Sequence, residues 1–159
     1  MNRVEFGEAV KHVKHPAKVT LAIMKTPAGK YNMITLEWFM RTSIKPAMFA
    51  ISIGHSRYSY ECLQQATSFN LCFPTSRMAE TAKLAGSKSG RDIDKFEVSG
   101  EEWFTGRFRK LPILNNAAAN FECEIVTQVK SGDHTIYVGE VKHSWINKEN
   151  NNVLTYKNF

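Results

Sequence analysis

The sequence predicts a mainly β protein: a closed or partly closed antiparallel barrel with two or three small inserted helices. Three observations support this fold class. β-Like runs outnumber helical patterns, the helices are inserted rather than alternating with strands, and Gly and Pro punctuate the runs. Regular alternation of strand and helix would instead indicate a doubly wound parallel sheet. With 159 residues, the chain is most simply a single domain, 1–159, with its own core.

The first half of the chain reads as strands with one helix. A strand is predicted over Lys18–Met24 (K-V-T-L-A-I-M), and the turn T-P-A-G-K leads from it into a second run, Met33–Ser43. The break I-K-P separates this run from a third, Met48–Ile53, and its Pro46 fits a turn or an edge because proline cannot donate to a sheet ladder. A helix is then predicted over Tyr60–Ala66.

The second half begins with a strand, Phe69–Phe73, that stops at Pro74. Residues 76–86 have a helix start, helix formers and a Gly stop, and residues 92–96 predict a short helical turn. Phe121–Lys130 alternates as a strand, and S-G-D makes a hairpin turn into the long strand His134–Ile146. Residues 97–118 show no clean period and support no prediction.

Alternation in the Met33–Ser43 run is imperfect. Thr35, Glu37 and Phe39 would share one face, and Phe39 is apolar on that otherwise polar side. This indicates a strand with apolar contacts on both faces, such as core plus ligand or dimer partner; an ordinary buried strand is the alternative.

Composition excludes several function classes. The net charge is +6 with a pI of about 9.3, but Lys and Arg are spread along the chain among acids, so nucleic-acid binding is not favoured. The three cysteines form no Cys-x-x-Cys pair and no zinc spacing, which indicates a reducing compartment and no metal site. The sequence shows no signal-peptide core and no apolar run that could span a bilayer, so we expect a cytoplasmic protein.

One short segment is suited to binding an anion. The third run ends in G-H-S-R-Y-S just before the predicted helix. Free N–H groups at a helix start bind phosphate, Arg57 adds a positive fork, and Ser59 can act as N-cap or hydroxyl donor. A capped helix with an exposed arginine is the alternative. The basic loop S-K-S-G-R (87–91) lacks the spacing of a nucleotide P-loop, and a solvated loop is its alternative.

The sequence offers no side-chain nucleophile. There is no Gly-x-Ser-x-Gly elbow, and we expect Cys62, Cys72 and Cys123 to be small buried hydrophobic residues. On sequence alone, His134 is a structural or exposed strand residue.

Several segments together resemble the flavin reductase-like family, which includes flavoredoxin and consists of FMN-binding split barrels. They are N-M-I-T-L-E-W-F-M-R-T-S-I-K-P-A-M-F-A-I-S-I-G (32–54), S-R-Y-S (56–59), S-F-N-L-C-F-P (68–74), S-K-S-G-R-D-I-D-K-F (87–96) and G-D-H-T-I-Y-V-G-E-V (132–141). The resemblance implies a Greek-key split barrel and bound FMN.

Residue roles follow from the resemblance alone. The isoalloxazine ring would be lined by Asn32, Met33, Ile34 and Thr35, with Trp38 packed near it. The ribityl chain would be bordered by Ser52, Ile53 and Gly54, and the phosphate would be held by Arg57, Tyr58 and Ser59. One side of the site would be closed by Phe73 and Pro74, with Ser87 and Ser89 nearby. His134 would stand near the reactive face and orient nicotinamide or substrate.

The resemblance also implies an activity. We expect an FMN-dependent oxidoreductase, a homodimer with the flavin near the subunit interface. It would either take hydride from NADH or NADPH or exchange electrons with a redox protein partner. A non-catalytic module that binds an anion or nucleic acid is the alternative.

Overall fold

The computed structural model describes residues 3–13 and 17–156, except for the side chains of residues 9 and 11–13. The strands are Thr20–Lys25 (β1), Tyr31–Leu36 (β2), Phe39–Ser43 (β3), Met48–Gly54 (β4), Ser68–Phe73 (β5), Trp103–Thr105 (β6), Pro112–Leu114 (β7), Ala119–Ser131 (β8) and His134–Ile146 (β9). The helices are Phe6–Val13 (α1), Tyr58–Gln65 (α2), Ala79–Ser87 (α3) and Lys95–Ser99 (α4), with a 3₁₀ turn at Ser76–Met78.

The central sheet has seven antiparallel strands in the order β2-β1-β5-β8-β9-β4-β3, and its two edge strands are consecutive in the chain. Laid flat, six spacings between neighbouring strands would separate these edges by about 29 Å. Only Glu37 and Trp38 join β2 to β3, and three Cα–Cα steps reach about 11 Å at most. The sheet must therefore curl until its edges meet. The fold is a split β-barrel, which confirms the predicted fold class.

The prediction of one continuous strand over Met33–Ser43 is wrong. The chain leaves β2 after Leu36 and enters β3 at Phe39, because here it passes from one edge of the sheet to the other. The alternation failed at Phe39, the first residue of the new strand. We call this junction between the two sheet edges the seam.

The other predicted elements agree with the structure to within a few residues. The long hairpin strand His134–Ile146 is confirmed in full, and Pro46 lies in the turn between β3 and β4. The described residues hold four α-helices rather than two or three. The predicted helical turn over residues 92–96 overlaps the short helix α4, which begins at Lys95. No helix in the described residues is long and apolar enough to cross a membrane.

The core lies on both faces of β1. Ala22 and Met24 belong to one cluster, with Phe69 and Tyr137 among its other members. Leu21 and Ile23 point the opposite way, into a second cluster that includes Ala82 and Ala85 of α3. Because successive side chains alternate across a strand, one strand serves the barrel core and the layer under the helix. All three cysteines are free and buried, as predicted, and burial raises the pKa of Cys123 to about 12.

A fully buried carboxylate, Glu122 on β8, holds the loop between β6 and β7. Its Oε1 accepts hydrogen bonds from the Arg107 N–H (3.1 Å) and from the Trp145 indole N–H (2.8 Å), and its Oε2 accepts one from the Phe108 N–H (2.6 Å). The same loop carries two consecutive residues at positive φ, Arg109 and Lys110. The carboxylate thus stabilises a loop whose backbone conformation is unfavourable for residues with a Cβ.

We expect Glu122→Ala to lower the free energy of unfolding by about 3 kcal/mol, because it leaves three donors without their acceptor. Urea denaturation measures the change. Glu124→Ala is the matched control on the same strand, since Glu124 pairs with Lys142 at the surface (3.0 Å) and such pairs contribute less than about 1 kcal/mol. Equal losses in the two variants would contradict the assignment.

Candidate functional site

The turn between β4 and α2 forms the predicted anion-binding corner. β4 ends at Gly54 and α2 begins at Tyr58, so the first N–H groups of the helix face the turn between them. Of the two roles predicted for Ser59, that of N-cap is wrong, because Arg57 occupies the N-cap position; the role of hydroxyl donor stays a prediction. Ser59 lies in the first turn, is buried, and its Oγ accepts a hydrogen bond from Asn32 Nδ2 (2.9 Å).

A cavity of about 170 Å³ opens at this corner, and we call it the cationic cavity. It joins β2, the corner and the loop that follows α3. Seven residues of the predicted site line it: Asn32, Ile34, Arg57, Tyr58, Ser59, Ser87 and Ser89. Four cationic side chains line it as well: Arg57, Lys88, Arg91 and Lys95. The Arg91 guanidinium forms an ion pair with Glu61 and lies over the Tyr58 ring, 5.1 Å from its centroid.

Asn32 is 2% exposed and forms part of the cavity wall. Its Nδ2 donates to Ser59 Oγ, which fixes the amide plane, while its Oδ1 has no hydrogen-bond partner among the described residues. Gly90 lies directly against this amide: a Cβ at position 90 would overlap Asn32 Oδ1 and stand 2.9 Å from Asn32 Cγ. The glycine therefore lets the loop approach a buried oxygen that lacks a donor.

A second cavity of about 200 Å³ shares Ile34 and Arg57 with the first, and we call it the seam cavity. Its lining comes from the edge strand β2, the link to β3, and strands β4 and β9 near the opposite edge. Six further residues of the predicted site line it: Thr35, Trp38, Ser52, Ile53, Gly54 and His134. The rest of the lining consists of Leu36, Glu37 and Tyr156. The two cavities are therefore neighbours, and we call them together the cleft.

His134 is held in place at the seam cavity. Its Nδ1 lies 2.7 Å from Asp133 Oδ1, its ring contacts that of Trp38 at a centroid distance of 4.6 Å, and Nε2 approaches Gly54. The hydrogen bond to His134 lowers the pKa of Asp133. A carboxylate at Nδ1 leaves Nε2 as the nitrogen available to a ligand.

Three predicted site residues lie outside these cavities. The Met33 side chain is fully buried in the cluster under α3, and its carbonyl accepts a hydrogen bond from Lys95 Nζ. Phe73 packs against other aromatic rings of the barrel, including Phe39 at 5.3 Å. Pro74 is buried, and its carbonyl accepts a hydrogen bond from the Leu154 N–H. Phe73 and Pro74 therefore lie outside the two cavities, because β5 is an inner strand of the sheet, and their closing of one side of the flavin site stays a prediction.

Sequence reasoning missed Lys88, Gly90, Arg91 and Lys95. All four lie in the run S-K-S-G-R-D-I-D-K-F, of which only the two serines were assigned. The signal that could have identified them was the number of cationic residues in this short run. Lys95 gave no separate signal, because its burial depends on how α4 packs against β2. The described residues contain no group of three His, Cys, Asp or Glu side chains arranged to hold a metal ion.

The chain is similar to proteins of one family. Residues 13–158 match the family model described as "Flavin reductase like domain". An uncharacterized protein of Archaeoglobus fulgidus is 32% identical over 86% of this chain and 77% of its own length. An NADH-dependent FAD reductase of Streptomyces globisporus is 26% identical over 68% of this chain and 59% of its own length.

Solved structures show the same fold. The FMN-binding protein of Thermus thermophilus with bound p-hydroxybenzaldehyde superposes with a TM-score of 0.78 at 26% identity, over 86% of this chain and 75% of that one. Flavoredoxin from Methanosarcina acetivorans gives a TM-score of 0.81 at 26% identity, over 93% of this chain and 77% of that one.

Proposed function

Because the chain belongs to the flavin reductase-like domain family, we propose that it binds FMN in the cleft and exchanges reducing equivalents between FMN and NAD(P)H or a redox partner. The family membership makes the protein a flavin oxidoreductase. Three further points are our proposal: that the flavin is FMN rather than FAD, which electron donor reduces it, and which residues hold it.

The observation that carries the proposal is the pairing of the two cavities. The cationic cavity offers four positive side chains and a buried oxygen without a donor, which suit a phosphate and a hydroxyl-bearing chain. The seam cavity next to it places the rings of Trp38 and His134 and the apolar side chains of Ile34 and Leu36 among polar ones, and the rings suit packing against a flat ring system. FMN has a phosphate, a polyol chain and a ring in this order, so the residues present fit the cofactor.

In this arrangement, Arg57, Ser87 and Ser89 would hold the phosphate end. Ile34, Thr35 and Trp38 would lie along the ring, with Ser52, Ile53 and Gly54 at the other wall. Bound FMN would supply the hydride and electron chemistry for which the protein has no nucleophile of its own. The protein then binds, orients and shields the flavin.

His134 would orient the reducing substrate. Asp133 Oδ1 accepts from the Nδ1–H of His134, which in the neutral imidazole leaves Nε2 as a hydrogen-bond acceptor at the seam cavity. The similarity to an NADH-dependent FAD reductase and to a flavoredoxin supports the two electron sources we consider, a nicotinamide dinucleotide and a protein.

We also propose a homodimer whose interface lies beside the cleft. An apolar depression of about 200 Å³ lies next to the seam cavity and is lined by Trp38, Phe39, Met40, Ala50, Ile51, Ser52 and Ile136. Trp38 is 59% exposed and Met40 is 61% exposed, and a second copy would bury them. Sedimentation of the purified protein as a monomer at micromolar concentration would contradict this.

We expect the purified protein to show the visible absorption of oxidised flavin and, after heat release, to yield FMN rather than FAD on chromatography. Anaerobic addition of NADH or NADPH should then bleach that absorption if the protein is a reductase. Absorption that persists until a reduced redox protein is added would assign the electron-carrier role. A colourless protein that takes up no added FMN would contradict the proposed function.

A further inference from the structure

Lys95 is a buried cation that lies in the wall of the cationic cavity. It is the first residue of α4 and is 4% exposed. Its Nζ donates to two backbone carbonyls at 2.8 Å each, that of Met33 on β2 and that of Ala85 on α3. An ammonium group has three N–H donors. Lys95 also lines the cavity, so a ligand there would be the acceptor for the third donor.

The charge of Lys95 has no counter-charge in the described part of the chain. No carboxylate of these residues lies within ion-pair distance of its Nζ, and its two partners are neutral carbonyls. A buried charge is costly to maintain without an opposite charge. In agreement, burial and then the nearby Arg57 lower the pKa of Lys95 to about 8. An anion in the cavity would supply the missing charge.

Asn32 provides the second, independent observation. Its Oδ1 is buried in the same cavity wall and has no donor among the described residues. The cavity therefore offers a cation and, beside it, an oxygen that needs a donor. A phosphate monoester on a hydroxylated carbon chain has both complements, an anionic oxygen for the ammonium and a hydroxyl for the amide oxygen.

We propose that Lys95 is the buried anchor for the phosphate end of the flavin and that Asn32 Oδ1 accepts a hydrogen bond from a hydroxyl of the chain bearing that phosphate. This inference rests on the proposed function, since it specifies how the cleft recognises its cofactor. Lys95 then selects flavins that carry a phosphate over riboflavin, which lacks one. A merely structural role, tying β2 to α3, would affect both ligands alike.

The proposal has a pH dependence with a definite sign. FMN carries a dianionic phosphate above about pH 6. Lys95 loses its proton in the flavin-free protein near pH 8, so FMN affinity should fall as pH rises through that value. Between pH 7 and pH 9, deprotonation of one group with this pKa weakens binding about tenfold. Riboflavin affinity should stay level.

Other groups near Lys95 do not produce this slope. Burial raises the pKa of Tyr58 and of Cys62 above their usual ranges, so both stay protonated below pH 9. The remaining charged groups that line the cavity or pair with its lining are Arg57, Lys88, Arg91 and Glu61. The ordinary pKa values of arginine, lysine and glutamate side chains all lie outside the range from pH 7 to pH 9.

The test compares FMN with riboflavin in binding to flavin-free protein, followed by quenching of flavin fluorescence. For Lys95→Met at pH 7, we expect the dissociation constant for FMN to rise at least tenfold and that for riboflavin to change less than twofold. The tenfold loss of FMN affinity between pH 7 and pH 9 should disappear in this variant. Lys83→Met, on the exposed face of α3, is the matched control and should bind like wild type. Inorganic phosphate should compete with FMN and not with riboflavin.

Lys95→Gln separates charge from structure, because its amide keeps two N–H donors for the carbonyls of Met33 and Ala85 but has no charge. It should lose FMN affinity as Lys95→Met does. The fall in FMN affinity of the wild-type protein between pH 7 and pH 9 tests the proposal even if both variants fail to fold. Equal losses for FMN and riboflavin, or unchanged FMN binding, would overturn the proposal. Wild type that binds neither flavin would instead contradict the proposed function.

Discussion

Gly90→Ala should weaken FMN binding by about 100-fold. The added Cβ would overlap Asn32 Oδ1, stand 2.9 Å from Asn32 Cγ and lie 3.2 Å from Tyr58 Cδ1. Asn32 cannot yield easily, because it is buried and bonded to Ser59, so the loop must move outward with its serines and cations. Overpacking of this kind costs about 1–3 kcal/mol, and 3 kcal/mol is about 150-fold in a binding constant.

Fluorescence titration of flavin-free protein measures this effect. Gly7→Ala is the matched control, since a Cβ there has nothing within 4 Å. The double variant Asn32→Ala/Gly90→Ala should bind FMN better than Gly90→Ala alone, because it removes the atoms that collide. Strictly additive losses in the double variant would show that the two residues do not interact.

Arg57→Glu should weaken FMN binding about 100-fold at low salt while riboflavin binding changes little. Arg57 lines both cavities and lies at the N-cap of α2, where a phosphate would meet the first helical N–H groups. The substitution removes a charge-assisted hydrogen bond worth about 1.5–3 kcal/mol and places a like charge beside the dianion.

Arg77→Glu controls for the change in net charge, since Arg77 is exposed in the 3₁₀ turn before α3. It should alter FMN affinity less than threefold. The effect of Arg57→Glu should also shrink in 0.5 M NaCl, because salt screens exposed charges. A variant that binds FMN as tightly as wild type would show that the phosphate lies elsewhere.

The sequence predicts features that depend on neighbouring residues. The hairpin strand His134–Ile146 follows a turn signal and a β-rich run, so local preferences and the fold agree. The corner at Arg57 is predictable for the same reason, because strand end, turn and helix start are consecutive. The resemblance to a family added residues from β2, which local patterns alone do not connect to that corner.

Other features depend on distant parts of the chain. Leu36 ends a strand and Phe39 begins another because the sheet closes there, and no residue between them is a turn former. Lys95 reads as a surface lysine, and only the packing of α4 against β2 and α3 buries it. The predicted N-cap role of Ser59 is wrong for a similar reason: its hydroxyl accepts a hydrogen bond from Asn32, 27 residues earlier in the chain.

The seam between β2 and β3 has a thermodynamic consequence. One wall of the seam cavity comes from the edge strand β2, with Ile34 and Thr35, and the other comes from β4, the strand next to the opposite edge strand β3, with Ser52 and Gly54. A flavin bound between them would act as a reversible cross-link across the line where the barrel closes. Ligand at 100 times its dissociation constant adds about 2.7 kcal/mol to folding stability. Flavin binding and barrel closure would then be thermodynamically coupled. Loss of the flavin would loosen the barrel first along the seam.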